Sequence, residues 1–190
     1  MVDLDDRYGE GWCVTLARRP VTETLALMGV EPGRQGDVDA LDGEGTEAGP
    51  PARLTARALP GGWSLVVETS GMTGWVGTRS EVLEALSADG GATCSLTANL
   101  GQDEVLYAED GRMLIWFEPV TASLAGEGAD RFRGPLERAG FMPDADGRLD
   151  AALEPLPGSQ LLMIAVEVVA GLRLTAEAFD GPWRGGVSEL

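Results

Sequence analysis

Few residues of this 190-residue chain could do chemistry, and their types exclude most enzyme mechanisms. The chain has no His and two Cys, and all 14 of its cations are Arg. Without His there is no Ser-His-Asp triad, no Cys-His pair and no His-ligated zinc or iron. Cys13 and Cys94 are far apart in the sequence and cannot complete a zinc site by themselves. We therefore expect no metal and no cofactor.

The most suggestive residues lie between positions 62 and 79. Glu68 belongs to a predicted strand, Trp75 could stack on a ligand, and Arg79 could meet a carboxylate or phosphate. The spacing of the glycines in this region matches neither the phosphate-binding loop nor the dinucleotide fingerprint. A Trp that folds back over the core is the simpler interpretation of Trp75. A pocket near Trp75, Arg79 and Glu68 remains open as the alternative.

A single carboxylate, Glu167, interrupts the most apolar run of the chain, residues 159–172 (SQLLMIAVEVVAGL). This run predicts a helix that is buried on most of its faces, with Ser159 as its N-cap. It is too short to cross a bilayer and carries a charge in its middle. Glu167 must therefore reach water, pair with an Arg or shift its pKa upward. We expect it on a narrow exposed stripe or in an ion pair.

The charge of the chain points toward basic partners, because the formal net charge is -17. Such a charge repels nucleic acid and anionic membrane surfaces. Residues 31–51 are rich in acids, Gly and Pro and offer little to bury, which predicts a mobile loop. The acids that we expect to contact a partner are Asp37, Asp39, Asp42, Glu44 and Glu47.

The pattern of predicted elements indicates the fold. It comprises strands at 11–18, 52–59, 63–69, 92–98, 104–109 and 112–118, and helices at 22–29, 80–86, 130–139 and 159–172. A last helical turn at 175–179 precedes residues 180–183, which we expect to end the ordered part. This order predicts one α+β domain over residues 1–190, with a single antiparallel sheet of about five to six strands and helices on one face.

The beginning of the chain, MVDLDDRYGE, has neither a basic segment nor an apolar one, so it is unlike a signal peptide. We therefore expect a cytoplasmic protein with both thiols reduced.

Several short stretches resemble a family of uncharacterised actinobacterial proteins. They are WCVTL at 12–16, GWSLVVE at 62–68, YAEDG at 107–111, AVEVVAGLRLT at 165–175 and DGP at 180–182. The resemblance spans nearly the whole chain and implies a small, acidic, cytoplasmic α+β protein. It brings no activity, ligand or catalytic residue with it.

Two functions fit these observations. The first is a non-catalytic acidic protein that binds a basic protein partner, as an immunity or inhibitor protein does. The second is a small-molecule binder or a carboxylate-dependent enzyme that uses the pocket near Trp75, Arg79 and Glu68. The missing His favours the first, in which the protein is not an enzyme and binds neither nucleic acid nor membrane.

Overall fold

A computed structural model gives the structure of the protein and describes residues 3–9, 11–38, 52–69, 74–99, 102–143 and 149–190. The strands are β1 Trp12–Ala17, β2 Gly36–Val38, β3 Arg53–Leu59, β4 Trp63–Glu68, β5 Ala92–Asn99, β6 Gln102–Glu109, β7 Arg112–Glu118, β8 Ser123–Ala125 and β9 Trp183–Val187. The α-helices are α1 Leu4–Tyr8, α2 Val21–Leu27, α3 Ser80–Ser87, α4 Ala129–Arg138 and α5 Gly158–Ala170.

The strands form one antiparallel sheet in the order β2-β9-β3-β4-β1-β5-β6-β7-β8. The α+β class and the single sheet are confirmed, but the prediction of five to six strands is wrong because the described residues alone form nine. The strands that the sequence did not predict are β2, β8 and β9. Two of them have three residues each, too few to show an alternating pattern.

Strand β9 also corrects the prediction that the ordered part ends at 180–183. Its sequence, WRGGV, contains two glycines and therefore lacks the side chains that signal a strand. At Gly186 the glycine is needed, because an added Cβ would lie 2.4 Å from Cγ1 of Val30. The close approach of Val30 explains why a residue type that is rare in strands occurs in this one.

Helices cover both faces of the sheet, so the prediction that they pack on one face is wrong. In β1 all six residues are buried. Trp12, Val14 and Leu16 belong to the core beneath α4 and α5, whereas Ala17 belongs to a second core with residues of α2 and α3. In the sequence of β1, small and polar side chains alternate with large apolar ones, which is typical of a strand with one face exposed to solvent. In the structure both faces of β1 are buried.

Helix α5 confirms the predicted buried helix. It spans 13 residues and ends at Gly171, which has the left-handed backbone (φ 66°) that commonly terminates a helix. The predicted cap is wrong, because α5 begins after Pro157 and receives no side-chain cap. The Ser159 hydroxyl instead donates to Asp3. No helix within the described residues is long and apolar enough to span a membrane.

The predicted loop over residues 31–51 is structured in its first part. Pro32–Arg34 form a 3₁₀ turn, and β2 pairs with β9 at the edge of the sheet. The acidic positions from Asp39 to Glu47 lie outside the described residues.

Candidate functional site

The carboxylate of Glu68 lies beneath a 3₁₀ turn, Val76–Thr78, that packs on the central strands β1 and β5 of the sheet. Glu68 is 1% exposed and stands opposite Cys13 in the pairing of β1 with β4. The backbone N–H groups of Val76 and Gly77 donate to its two oxygens over 3.1 and 3.4 Å. The carboxylate is therefore occupied in fixing the turn onto the sheet.

Burial raises the pKa of Glu68 above its ordinary value, although the two N–H donors and nearby Arg79 oppose the shift. Beside it, the Cys13 thiol lies 3.3 Å from the Ser95 hydroxyl. Burial, reinforced by the charge of Glu68, raises the pKa of Cys13 to about 12. A thiol with such a pKa is protonated at neutral pH and is a poor nucleophile.

The turn packs very closely on the sheet at Gly77. A Cβ added there would lie 2.1 Å from Oγ1 of Thr15 and 2.8 Å from Sγ of Cys13. Gly77 is thus required by close packing. The close neighbour of Gly77 is therefore the sheet.

The three residues of the predicted pocket do lie together, but two of them are buried. Trp75 is 5% exposed and precedes the turn, and Arg79 follows it, half-buried, at the beginning of α3. Within the part of the chain that the structure describes, no three acidic or Cys side chains gather as metal ligands. The two cysteines are free and lie on opposite faces of the sheet, since Cys94 faces the α5 core. The arrangement of Glu68, Trp75 and Arg79 is therefore suited to holding the Val76–Thr78 turn in place.

The acidic side chains, in contrast, are spread over the surface. Every described Asp and Glu except Glu68 is exposed or half-buried. Between described residues, ion pairs with carboxylates involve Arg7, Arg19, Arg34, Arg131 and Arg173, among others. These cations are already engaged within the molecule, while the chain has 31 acids against 14 Arg. The surface is therefore strongly negative.

Of the predicted partner contacts, the structure describes only Asp37. It is exposed on the edge strand β2, opposite Arg184 of β9. Glu31 and Glu189 are exposed nearby, and both pair with Arg34. Asp39, Asp42, Glu44 and Glu47 lie outside the described residues. The edge strand thus leads into the acidic stretch that the sequence analysis singled out.

A groove of about 430 Å³ lies between α5 and the segment that follows it. Glu167 lines it and pairs with Arg173 over 3.5 Å between Nε and Oε2, which confirms the predicted ion pair. Glu177 also lines it. The sequence analysis did not identify Glu177, although the spacing of Thr175 and Glu177 allows a hydroxyl to orient a carboxylate two residues away.

Comparison with known proteins places the chain in a family. No curated protein matches it, and no solved structure does. A family profile described as "Family of unknown function (DUF6461)" matches residues 2–182, nearly the whole length. Strands β1 to β8 and all the α-helices fall within the matched range, whereas β9 and the residues after it lie beyond it. The chain therefore belongs to the DUF6461 family, a family of unknown function.

Proposed function

We propose that this protein is a non-catalytic acidic binding protein that engages a basic protein partner, as immunity and inhibitor proteins do. The supporting observation is the distribution of charge: all described carboxylates but Glu68 reach the surface, and the formal net charge is -17. A field of one sign attracts an oppositely charged partner before contact and accelerates association. We propose with it an actinobacterial, cytoplasmic protein, as the resemblance of the sequence stretches implies.

The contact that we propose is the edge strand β2 and the acidic stretch after it. Asp37 is exposed on β2, and Asp39, Asp42, Glu44 and Glu47 follow it in the sequence. Five carboxylates within eleven residues give a high density of negative charge along the sequence, which a cluster of Arg or Lys on a partner would neutralise.

The alternative function, a small-molecule site at Trp75, Arg79 and Glu68, remains a hypothesis. Glu68 would first have to release the N–H groups of Val76 and Gly77, because both its oxygens accept from them. A site of this kind would require the Val76–Thr78 turn to open.

The test begins with affinity capture of a partner from the cells that make the protein, followed by reconstitution with the purified partner. Isothermal titration should give a 1:1 complex whose Kd weakens by about tenfold or more between roughly 50 and 300 mM salt. Replacing Asp37, Asp39, Asp42, Glu44 and Glu47 with their amides should weaken binding and reduce this salt dependence.

A matched control separates a local contact from a general charge effect. It replaces five exposed acids elsewhere on the surface with their amides: Glu81, Glu84, Glu127, Asp130 and Glu137. The net charge changes equally in the two variants. If both weaken the complex to the same extent, the contact is not at β2; if the reconstituted complex is insensitive to salt, the proposal fails.

A further inference from the structure

The groove beside α5 combines an apolar floor with acidic walls. Met163 and Leu174 are buried, and Ile164 is half-buried beside them. The walls carry two carboxylates, Glu167 and Glu177. A volume of about 430 Å³ is within the range of sites that hold a small ligand or a few side chains. The groove is therefore shaped for a group with an apolar body and a polar end.

The polar end of that group should be cationic. The Thr175 hydroxyl donates to the Glu177 carboxylate and lowers its pKa, so Glu177 is ionised at neutral pH. The carboxyl end of α5 lies nearby, since the helix ends at Ala170, and its free carbonyls add negative partial charge. One cation is already present: Arg173 pairs with Glu167, while its side chain remains 74% exposed.

We infer that this groove receives an Arg side chain of the protein partner, its methylene stem on Met163, Ile164 and Leu174 and its guanidinium between Glu167 and Glu177. The inference rests on the proposed function, because the arginine is supplied by the basic partner. Arg173 then acts as an internal competitor that occupies Glu167 in the free protein. A planar guanidinium has donors on two edges and can serve two carboxylates at once.

Three small probes test the groove without the partner. n-Butylguanidinium carries the charge and the stem, guanidinium carries the charge alone, and N-butylurea carries the stem and a neutral head. In NMR titrations of the ¹⁵N-labelled protein, butylguanidinium should shift the backbone amides of residues 163–167 and 173–177. Guanidinium should bind at least about tenfold more weakly, because each buried CH₂ contributes roughly a factor of four. Butylurea should show no saturable binding.

Variants test the roles of the charged residues. Glu167→Gln with Glu177→Gln should weaken butylguanidinium binding about tenfold or more. The control pair Glu81→Gln with Glu84→Gln, on α3, changes the net charge equally and should leave the affinity within about twofold. Arg173→Gln should tighten binding, because it removes the competitor. Unchanged or weaker binding in Arg173→Gln would show that Arg173 does not compete with the ligand for Glu167, which overturns the inference.

Equal binding of butylurea, or shifts that map elsewhere on the surface, would also overturn it. That failure leaves the proposed function standing, because the partner complex is tested through the acids of β2 and the stretch after it. Conversely, saturable and charge-dependent binding of butylguanidinium in the groove supports the cation site whatever the partner is. If the isolated partner proves not to be basic, the proposed function is overturned.

Discussion

Replacement of Gly77 by Ala should destabilise the protein through a clash between the Val76–Thr78 turn and the sheet. The added Cβ would lie 2.1 Å from Oγ1 of Thr15, far inside van der Waals contact. Thr15 belongs to β1, which β4 and β5 hold on either side, so it cannot move away easily. Overpacking of a rigid core costs about 1 to 3 kcal/mol, and we expect about 2 to 3 kcal/mol here.

The assay is urea unfolding followed by Trp fluorescence, with the free energy of unfolding extrapolated to water. Gly33→Ala is the matched control, because nothing lies within 4 Å of its added Cβ; it should change the stability by less than about 1 kcal/mol. A second variant, Thr15→Ala, removes the clashing oxygen. The two substitutions together should therefore lower the free energy of unfolding by less than the sum of their separate effects, with a difference of at least about 1 kcal/mol. Strict additivity, or a Gly77→Ala protein as stable as the wild type, would refute the packing of this turn on Thr15.

Three further predictions concern buried and paired groups. Burial raises the pKa of Glu68, so its contribution to stability is complete below its unfolded-state pKa, near 4.5, and is lost as the pH rises through its folded-state pKa. The free energy of unfolding, measured at several pH values, should thus become larger for Glu68→Gln than for the wild type by a margin that grows above about pH 4.5. A trend in the opposite direction would mean that the N–H donors outweigh burial in setting the pKa of Glu68. Glu167→Gln should cost less than about 1 kcal/mol by urea unfolding, because the Arg173 pair is exposed; a loss of 3 kcal/mol would contradict this. Cys13 should resist a thiol reagent in the native protein, because it is buried with a pKa of about 12, and rapid labelling without unfolding would show that the turn opens.

The sequence predicts best those elements that have strong local signals. The predicted strands at 104–109 and 112–118 are β6 and β7, joined by Asp110 and Gly111, whose φ values of 52° and 73° are the positive pair that a tight hairpin requires. The predicted strands at 52–59 and 63–69, which are β3 and β4, and the helices α2 to α5 are likewise confirmed. In each case the hydrophobic period and a turn or terminating residue agree within one short stretch.

The missed elements depend on contacts that are distant in the sequence. Strand β2 consists of a Gly, an Asp and a Val, and it pairs with a strand near the other end of the chain. Strand β9 contains Gly186, which the close approach of Val30 explains. The burial of Cys13 and Thr15 under the Val76–Thr78 turn also depends on tertiary packing, which makes polar side chains internal. Neither propensity nor period can reveal such pairings.

The candidate site was predictable to a similar extent. For Glu167 the sequence left an exposed stripe or an ion pair open, and the structure shows an exposed carboxylate paired with Arg173. For Trp75 the simpler of the two interpretations was that it folds back over the core, and its side chain is buried. The groove was not predictable, because it forms where α5 meets residues 173–177. The engagement of Glu68 with the N–H groups of Val76 and Gly77 likewise becomes visible only once the turn is placed over β4.

The most direct test of the acidic binding function is the salt dependence of the association rate with the purified partner, measured by stopped-flow mixing. The account predicts that the logarithm of the rate constant falls steeply with the logarithm of salt concentration. The slope should become shallower when Asp37, Asp39, Asp42, Glu44 and Glu47 carry amides, with little change in the control variant. An association rate that is independent of salt in the wild-type protein would contradict the claim that its negative surface recognises a basic partner.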